Sequence, residues 1–138
     1  YSHNAFLVYK TIKKHTKNLI KSYQVLTPSI HMKTKDLSGG NIQKLILGRE
    51  ISESPALLVA SHPTYGLDVG ATEYLRRQLL KRRKEGGAVL LVSEDLEEII
   101  ELCDRIAVMF KGEFMGILDS NDPRMTDIGM MMAGSLRL

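Results

Sequence analysis

Leu37-Ser38-Gly39-Gly40-Asn41-Ile42-Gln43-Lys44 sets a serine and two glycines at the head of a segment whose apolar positions Ile42, Leu45 and Ile46 recur at helical spacing. Glycine lets a backbone come close to a ligand, and the first turn of a helix carries N–H groups with no partner inside the helix. The positive end of the helix dipole adds its own attraction, so the stretch reads as an anion site, most naturally for a phosphate. A plainer reading is a tight loop entering a helix. No G-x-x-x-x-G-K-[ST] loop, the usual phosphate cradle, occurs in the sequence.

Toward the N-terminus, residues 1–5 read as an irregular start. From about Leu7 to Tyr23 the apolar positions Val8, Ile12, Leu19, Ile20 and Tyr23 repeat near 3.6 residues, which predicts one amphipathic helix. Thr27-Pro28-Ser29 interrupts it, and residues 27–37 form a polar connection into a helix that runs to about Ser52.

Toward the C-terminus, Ser54-Pro55 introduces the short apolar run Ala56 to Ala60, which predicts a strand buried on both faces of a parallel sheet. A loop from Ser61 to Asp68 leads to a helix over about 71–85, stopped by Gly86-Gly87. Ala88 to Val92 is a second buried strand. Ser93 is placed to cap a helix whose apolar stripe is Leu96, Ile99, Ile100 and Cys103. Ile106 to Phe110 is a third strand, Lys111-Gly112 a turn, and Glu113 to Leu118 its hairpin partner; a last helix spans about 125–133. Strands alternating with helices predict an α/β fold with a parallel sheet and right-handed crossovers. In such a sheet, ligands bind at the carboxyl ends of strands, here the loops after Ala60 and Val92.

Composition narrows the class. A chain of 138 residues is one domain or part of one, and 43% hydrophobic with 25% charged residues is ordinary for a globular protein. Its apolar runs are too short to span a bilayer. Cys103 is the single cysteine, which excludes an internal disulfide, and no His/Cys cluster has metal-ligand spacing. The net charge of +3 is unevenly spread, because residues 1–36 hold seven lysines and one acid. Lys10, Lys13, Lys14, Lys17 and Lys21 recur at helical spacing, more simply a solvated face than a nucleic-acid or anionic-lipid surface, since arginine and interleaved aromatics are scarce there.

Four blocks in order, LSGGN-x-QK, PT-x-GLDVGA after an apolar strand, LLVSED closing another, and DRIAVMFKGE, together resemble the ABC-transporter ATPase family over nearly the whole chain from about Phe6. LSGG alone would be a weak match. The finer pattern, with SEDL-EEI and a closing IG-x-x-MAG, is similar to the second nucleotide-binding half of tandem ATPase subunits that serve sugar or nucleoside importers. The resemblance implies a partial ATPase core in which residues 1–53 belong to the helical subdomain, ending in the signature helix, and residues 54–138 to the C-terminal part of the core. The P-loop, its strand and the Q-loop are expected before residue 1.

Roles follow from the same resemblance. Ser38, Gly39 and Gly40 match the signature motif, which contacts the γ-phosphate of ATP held by the opposite half of a dimer. Asn41, replacing the commoner glutamine, and Gln43 continue that binding segment. Asp68 matches the D-loop aspartate. Three positions depart from the pattern: Ser61 stands where the Mg²⁺-ordering aspartate is expected, His62 where the water-activating glutamate is expected, and Glu94 where the switch histidine is expected. A hydroxyl is a poor substitute for a carboxylate near a hard cation, and Glu94 offers negative charge where a donor is needed. The site of this half is therefore expected to be non-hydrolytic, with no catalytic residue intact.

What the resemblance implies for function is an ABC-type ATPase, with ATP and Mg²⁺ in the intact dimeric assembly and nothing bound to, or hydrolysed by, this segment alone. The expected partners are a second nucleotide-binding domain, transmembrane permease subunits and, indirectly, a substrate-binding protein, on the cytoplasmic side of the membrane. No nucleic acid is expected. An alternative is a non-catalytic ABC-like scaffold; a soluble ABC ATPase acting on nucleic acid or ribosomes fits less well. Without the P-loop strand between strands 88–92 and 106–110, the segment should expose two strand edges, which invite self-association.

Overall fold

The computed structural model describes residues 2–3 and 6–138, in two compact units, one ending at Leu90 and the other running from Leu91 to Leu138. In the first unit, β1 (Ser2–His3) and β2 (Phe6–Leu7) pair antiparallel, where an irregular start was expected; residues 1, 4 and 5 of that start lie outside the described residues. Helix α1 (Tyr9–Ser22) follows and directs its five lysines to solvent, with Leu19 buried. A single 3-10 turn (Thr34–Asp36) interrupts the polar connection before α2 (Gly39–Ser52).

Strand β3 (Leu57–Ser61), helix α3 (Val69–Lys84) and strand β4 (Ala88–Val92) form a strand–helix–strand unit, with β3 and β4 side by side in one sheet. The intervening helix supplies the crossover that parallel neighbours require. Arg82, buried near the end of α3, reaches back to the start of β3: its Nε donates to the Pro55 carbonyl (3.1 Å) and its Nη2 to that of Ser54 (3.2 Å). Gly87 is needed beside it, because a Cβ there would overlap the guanidinium.

One expectation fails here. The two strands are not buried on both faces. Along β3, Leu58 and Ala60 are buried, whereas Leu57 and Val59 are 56% and 60% exposed; along β4, Leu90 and Val92 are exposed. Successive side chains point to opposite faces of a strand, so the alternation means that one face alone is covered within the described residues. A continuous apolar run records what both faces are suited to, not which layers this chain carries.

In the second unit, α4 (Leu96–Leu102) leads to β5 (Arg105–Phe110) and β6 (Glu113–Asp119), an antiparallel hairpin. Its turn places Lys111 at φ 48° and Gly112 at φ 86°, the two left-handed positions that match the twist of a tight hairpin. The two strands form a two-stranded sheet. Ile106, Val108, Met115 and Leu118 of the hairpin pack with Ile128 and Met131 into a core, and Cys103 lies half-buried against it. The final helix is shorter than its periodicity suggests. A 3-10 segment (Pro123–Asp127) precedes α5 (Ile128–Met132), and Arg124 holds the Asp122 carboxyl down to about 2 through side-chain and backbone hydrogen bonds. Gly116 lets α5 approach β6, since a Cβ there would lie 3.1 Å from Met131 Sδ.

Candidate functional site

Two helix starts meet in the first unit. Ser38 is extended (φ −66°, ψ 155°) and its carbonyl accepts the first helical hydrogen bond of α2, from Ile42 N–H at 2.9 Å. A serine in this position commonly accepts a bond from its own helix through the side chain. Ser38 makes no such cap bond. Its hydroxyl is exposed and accepts instead from Asn41 Nδ2 at 2.9 Å. The amide oxygen of Asn41 accepts in turn from the Leu26 N–H at 2.7 Å, tying the head of α2 to the chain that leaves α1.

The two glycines differ in what demands them. At Gly40 a Cβ would lie 3.1 Å from Ala71 Cβ and 3.9 Å from Asp68 Oδ2, so the first turn of α2 lies against the first turn of α3. At Gly39 a Cβ would meet nothing closer than Leu67 Cδ2 at 4.0 Å, and the residue is exposed. The fold needs a glycine at 40. It leaves 39 open toward solvent, where an incoming group could reach the backbone. Lys44, in the second turn of α2, stands 4.9 Å from the centre of the Tyr74 ring on α3, a second tie between these helices.

Asp68 is the N-cap of α3: its Oδ1 accepts from Ala71 N–H at 2.9 Å. That bond starts the helix at Val69, ahead of the apolar periodicity that suggested Ala71. The loop before it leaves β3 at Ser61 and passes through His62, which is exposed and left-handed at φ 46°. For a residue with a Cβ this conformation costs on the order of 1–3 kcal/mol. Tyr65 N–H bonds to the His62 carbonyl at 3.2 Å and Leu67 N–H to that of Thr64 at 3.2 Å, so the loop is a pair of turns ending at Asp68. From Ser61 to Leu67 this loop holds no carboxylate.

The structure thus brings Ser38, Gly40, Asn41 and Asp68 into one locality, with Gly39 at its open side and Gln43 half-buried on the same helix. Ser61 and His62 sit at the end of β3, and Glu94 belongs to the second unit, where it is exposed. Ser93 does not cap α4. Asp95 does, accepting from Glu98 N–H at 3.1 Å, while the Ser93 hydroxyl accepts from Asp95 N–H at 3.0 Å. A carboxylate outcompetes a hydroxyl for a helix start, where its charge also meets the dipole. Among the described residues, no three or more His, Cys, Asp or Glu side chains are grouped to hold a metal, and no helix is long and apolar enough to cross a membrane. The tie between Leu26 and Asn41, fifteen residues apart, left no local signal in the sequence.

No family model matches the chain. Its relatives among curated proteins are nonetheless consistent. It is 47% identical over 122 residues, 88% of its length, to the guanosine import ATP-binding protein NupO of Bacillus subtilis, covering 24% of that protein. It is 42% identical over 129 residues to the nucleoside import ATP-binding protein NupA of Lactococcus lactis (94% of this chain, 26% of that one). A putative ribose/galactose/methyl galactoside import ATP-binding protein of Pseudomonas syringae shares 35% over 134 residues, 97% of this chain and 26% of that protein. The chain therefore spans about a quarter of the length of the curated relatives it matches. In fold it matches a dimeric ATP-binding cassette in a post-hydrolysis state with ADP and Pi, at a TM-score of 0.72 and 21% identity over 87% of this chain and 52% of that one. A second dimeric structure of the same bacterial cassette gives 0.71 at 22% identity, covering 88% of this chain and 52% of that one. Together with the LSGGN head of α2, the β3–α3–β4 unit and the closing hairpin, these likenesses show that the chain belongs to the ABC-transporter ATPase family, as a C-terminal part of the cassette akin to those of sugar and nucleoside import ATP-binding proteins.

Proposed function

We propose that this chain is part of the ATP-binding subunit of a nucleoside or simple-sugar importer, and that Ser38, Gly39 and Gly40 present α2 to the γ-phosphate of an ATP held by a partner nucleotide-binding domain. Asn41 and Gln43 stand on the same binding segment. The observation that supports this reading most is the head of α2. Its serine leaves the helix uncapped by side chain, and its first glycine has no internal reason to be a glycine. A phosphate brought there by another domain would meet a hydroxyl and the positive end of a 14-residue helix.

The segment's own site is degenerate in this reading. Ser61 and His62 provide no carboxylate to order Mg²⁺ or to activate water, and Glu94 provides no donor; Asp68 is engaged in capping α3. ATP and Mg²⁺ serve the intact assembly, where closure around ATP drives permease subunits between two states on the cytoplasmic face of the membrane. The exposed apolar side chains of Leu57, Val59 and Leu90 are covered by the rest of the subunit, and the isolated segment self-associates through the strand edges left open.

Nucleotide stoichiometry tests the asymmetry. The intact assembly, allowed one round of closure and then quenched in acid, is expected to retain about one ATP for each ADP, because one site of each pair hydrolyses and the other only binds. Conversion of nearly all the retained ATP would overturn the degenerate site.

A further inference from the structure

We infer that Asn41 is a positioning residue that sets the polarity of the Ser38 hydroxyl, holding it as a hydrogen-bond donor toward phosphate instead of contacting phosphate itself. This rests on the reading of Ser38 just proposed. A backbone N–H can only donate, so the bond from Leu26 N–H (2.7 Å) fixes which end of the Asn41 amide faces it: the oxygen. The NH₂ end is thereby turned to Ser38 Oγ, 2.9 Å away, where it can only donate. The serine oxygen accepts that bond. It accepts none from its own helix start, and its single hydrogen is left to point elsewhere.

Phosphate oxygens only accept, so a hydroxyl whose hydrogen is kept free is the complementary partner. One in which a neighbour has claimed that hydrogen is not. The amide therefore works as a one-way coupler from the end of α1 to the serine. Both of its polar ends are engaged within the protein, which is why a direct phosphate contact by Asn41 is not needed in this arrangement.

Asn41→Asp inverts the coupler with little change of shape. A carboxylate still accepts from Leu26 N–H, but its other oxygen takes the Ser38 hydrogen and adds repulsion toward phosphate. Asn41→Ala removes the coupler. ATP turnover by the intact importer, as kcat/KM, is measured for Ser38→Ala, Asn41→Ala, Asn41→Asp and each double variant, with melting temperatures alongside. Asn41→Ala is expected to lower kcat/KM about tenfold with serine present and less than about twofold with alanine at 38, since effects acting through one group do not multiply. Asn41→Asp, which keeps the Leu26 bond, is expected to melt with the parent protein and yet lose more turnover than Asn41→Ala. Independent factors for positions 38 and 41 would overturn the inference, as would an Asn41→Ala variant of unchanged turnover beside an impaired Ser38→Ala. Unchanged turnover in Ser38→Ala would remove the underlying reading and this inference with it.

Discussion

Leucine in place of Gly39 is expected to cut ATP turnover by the intact subunit about a hundredfold while leaving its melting temperature within about 2 °C of the parent protein. The two halves of that expectation have separate causes. The side chain would extend into space the fold does not use, because the nearest atom to a new Cβ is Leu67 Cδ2 at an ordinary 4.0 Å. Its bulk would stand over the first turn of α2 and keep a phosphate away from the N–H groups and hydroxyl there. Loss of one preorganised donor to a transferring group typically costs a hundredfold or more, and here several are shielded together. A steady-state ATPase assay and a thermal melt check both halves. Full activity would mean that the open side of Gly39 has no ligand. A large fall in melting temperature would mean that the glycine serves the fold.

The opposite balance is expected at Gly48. Leucine there should destabilise the first unit by about 2 kcal/mol, roughly 10 °C in melting temperature for a unit of this size. Gly48 is buried where α2 crosses the end of α1: a Cβ would lie 2.7 Å from Tyr23 Cδ2, 2.8 Å from Cγ of the same ring and 3.1 Å from Leu19 Cδ2. Replacing glycine inside a helix recovers at most about 1 kcal/mol of backbone entropy. Displacing a packed ring costs more, so overpacking wins. Alanine at 48 already meets the ring and should fall between leucine and the parent protein. A melt in which leucine is neutral would show that Tyr23 can leave without loss.

These two glycines also show what was legible in the sequence. The chain order of helices and strands could be read from periodicity and from punctuation such as Ser54-Pro55, Gly86-Gly87 and Lys111-Gly112, because those signals are local. Burial could not. The runs at 56–60 and 88–92 suit a strand covered on both faces, yet Leu57, Val59, Leu90 and Val92 are exposed, since coverage depends on layers that local pattern does not encode. Competition between neighbouring caps was misread for a related reason: Ser93 and Asp95 are both fit to start α4, and only geometry shows that the carboxylate does. Ser38-Gly39-Gly40 was legible as the start of a helix from residue type alone, and the structure places Ser38 as the N-cap residue of α2. The link from Leu26 through Asn41 and the hold of Arg82 on Ser54 and Pro55 join positions fifteen to twenty-eight residues apart, and nothing in the sequence near either end announces them.

The central claim is that the head of α2 meets a γ-phosphate carried by another domain. It is tested most directly by ATP bearing a photoreactive aryl azide on its γ-phosphate. The analogue is bound to the intact assembly, illuminated, and the attached peptides are mapped by mass spectrometry. The account expects label within residues 37–44, lost when unlabelled ATP competes, because the azide is carried on the phosphate that Ser38 and Gly39 face. Label confined to other parts of the assembly, with none in 37–44 under closing conditions, would contradict it.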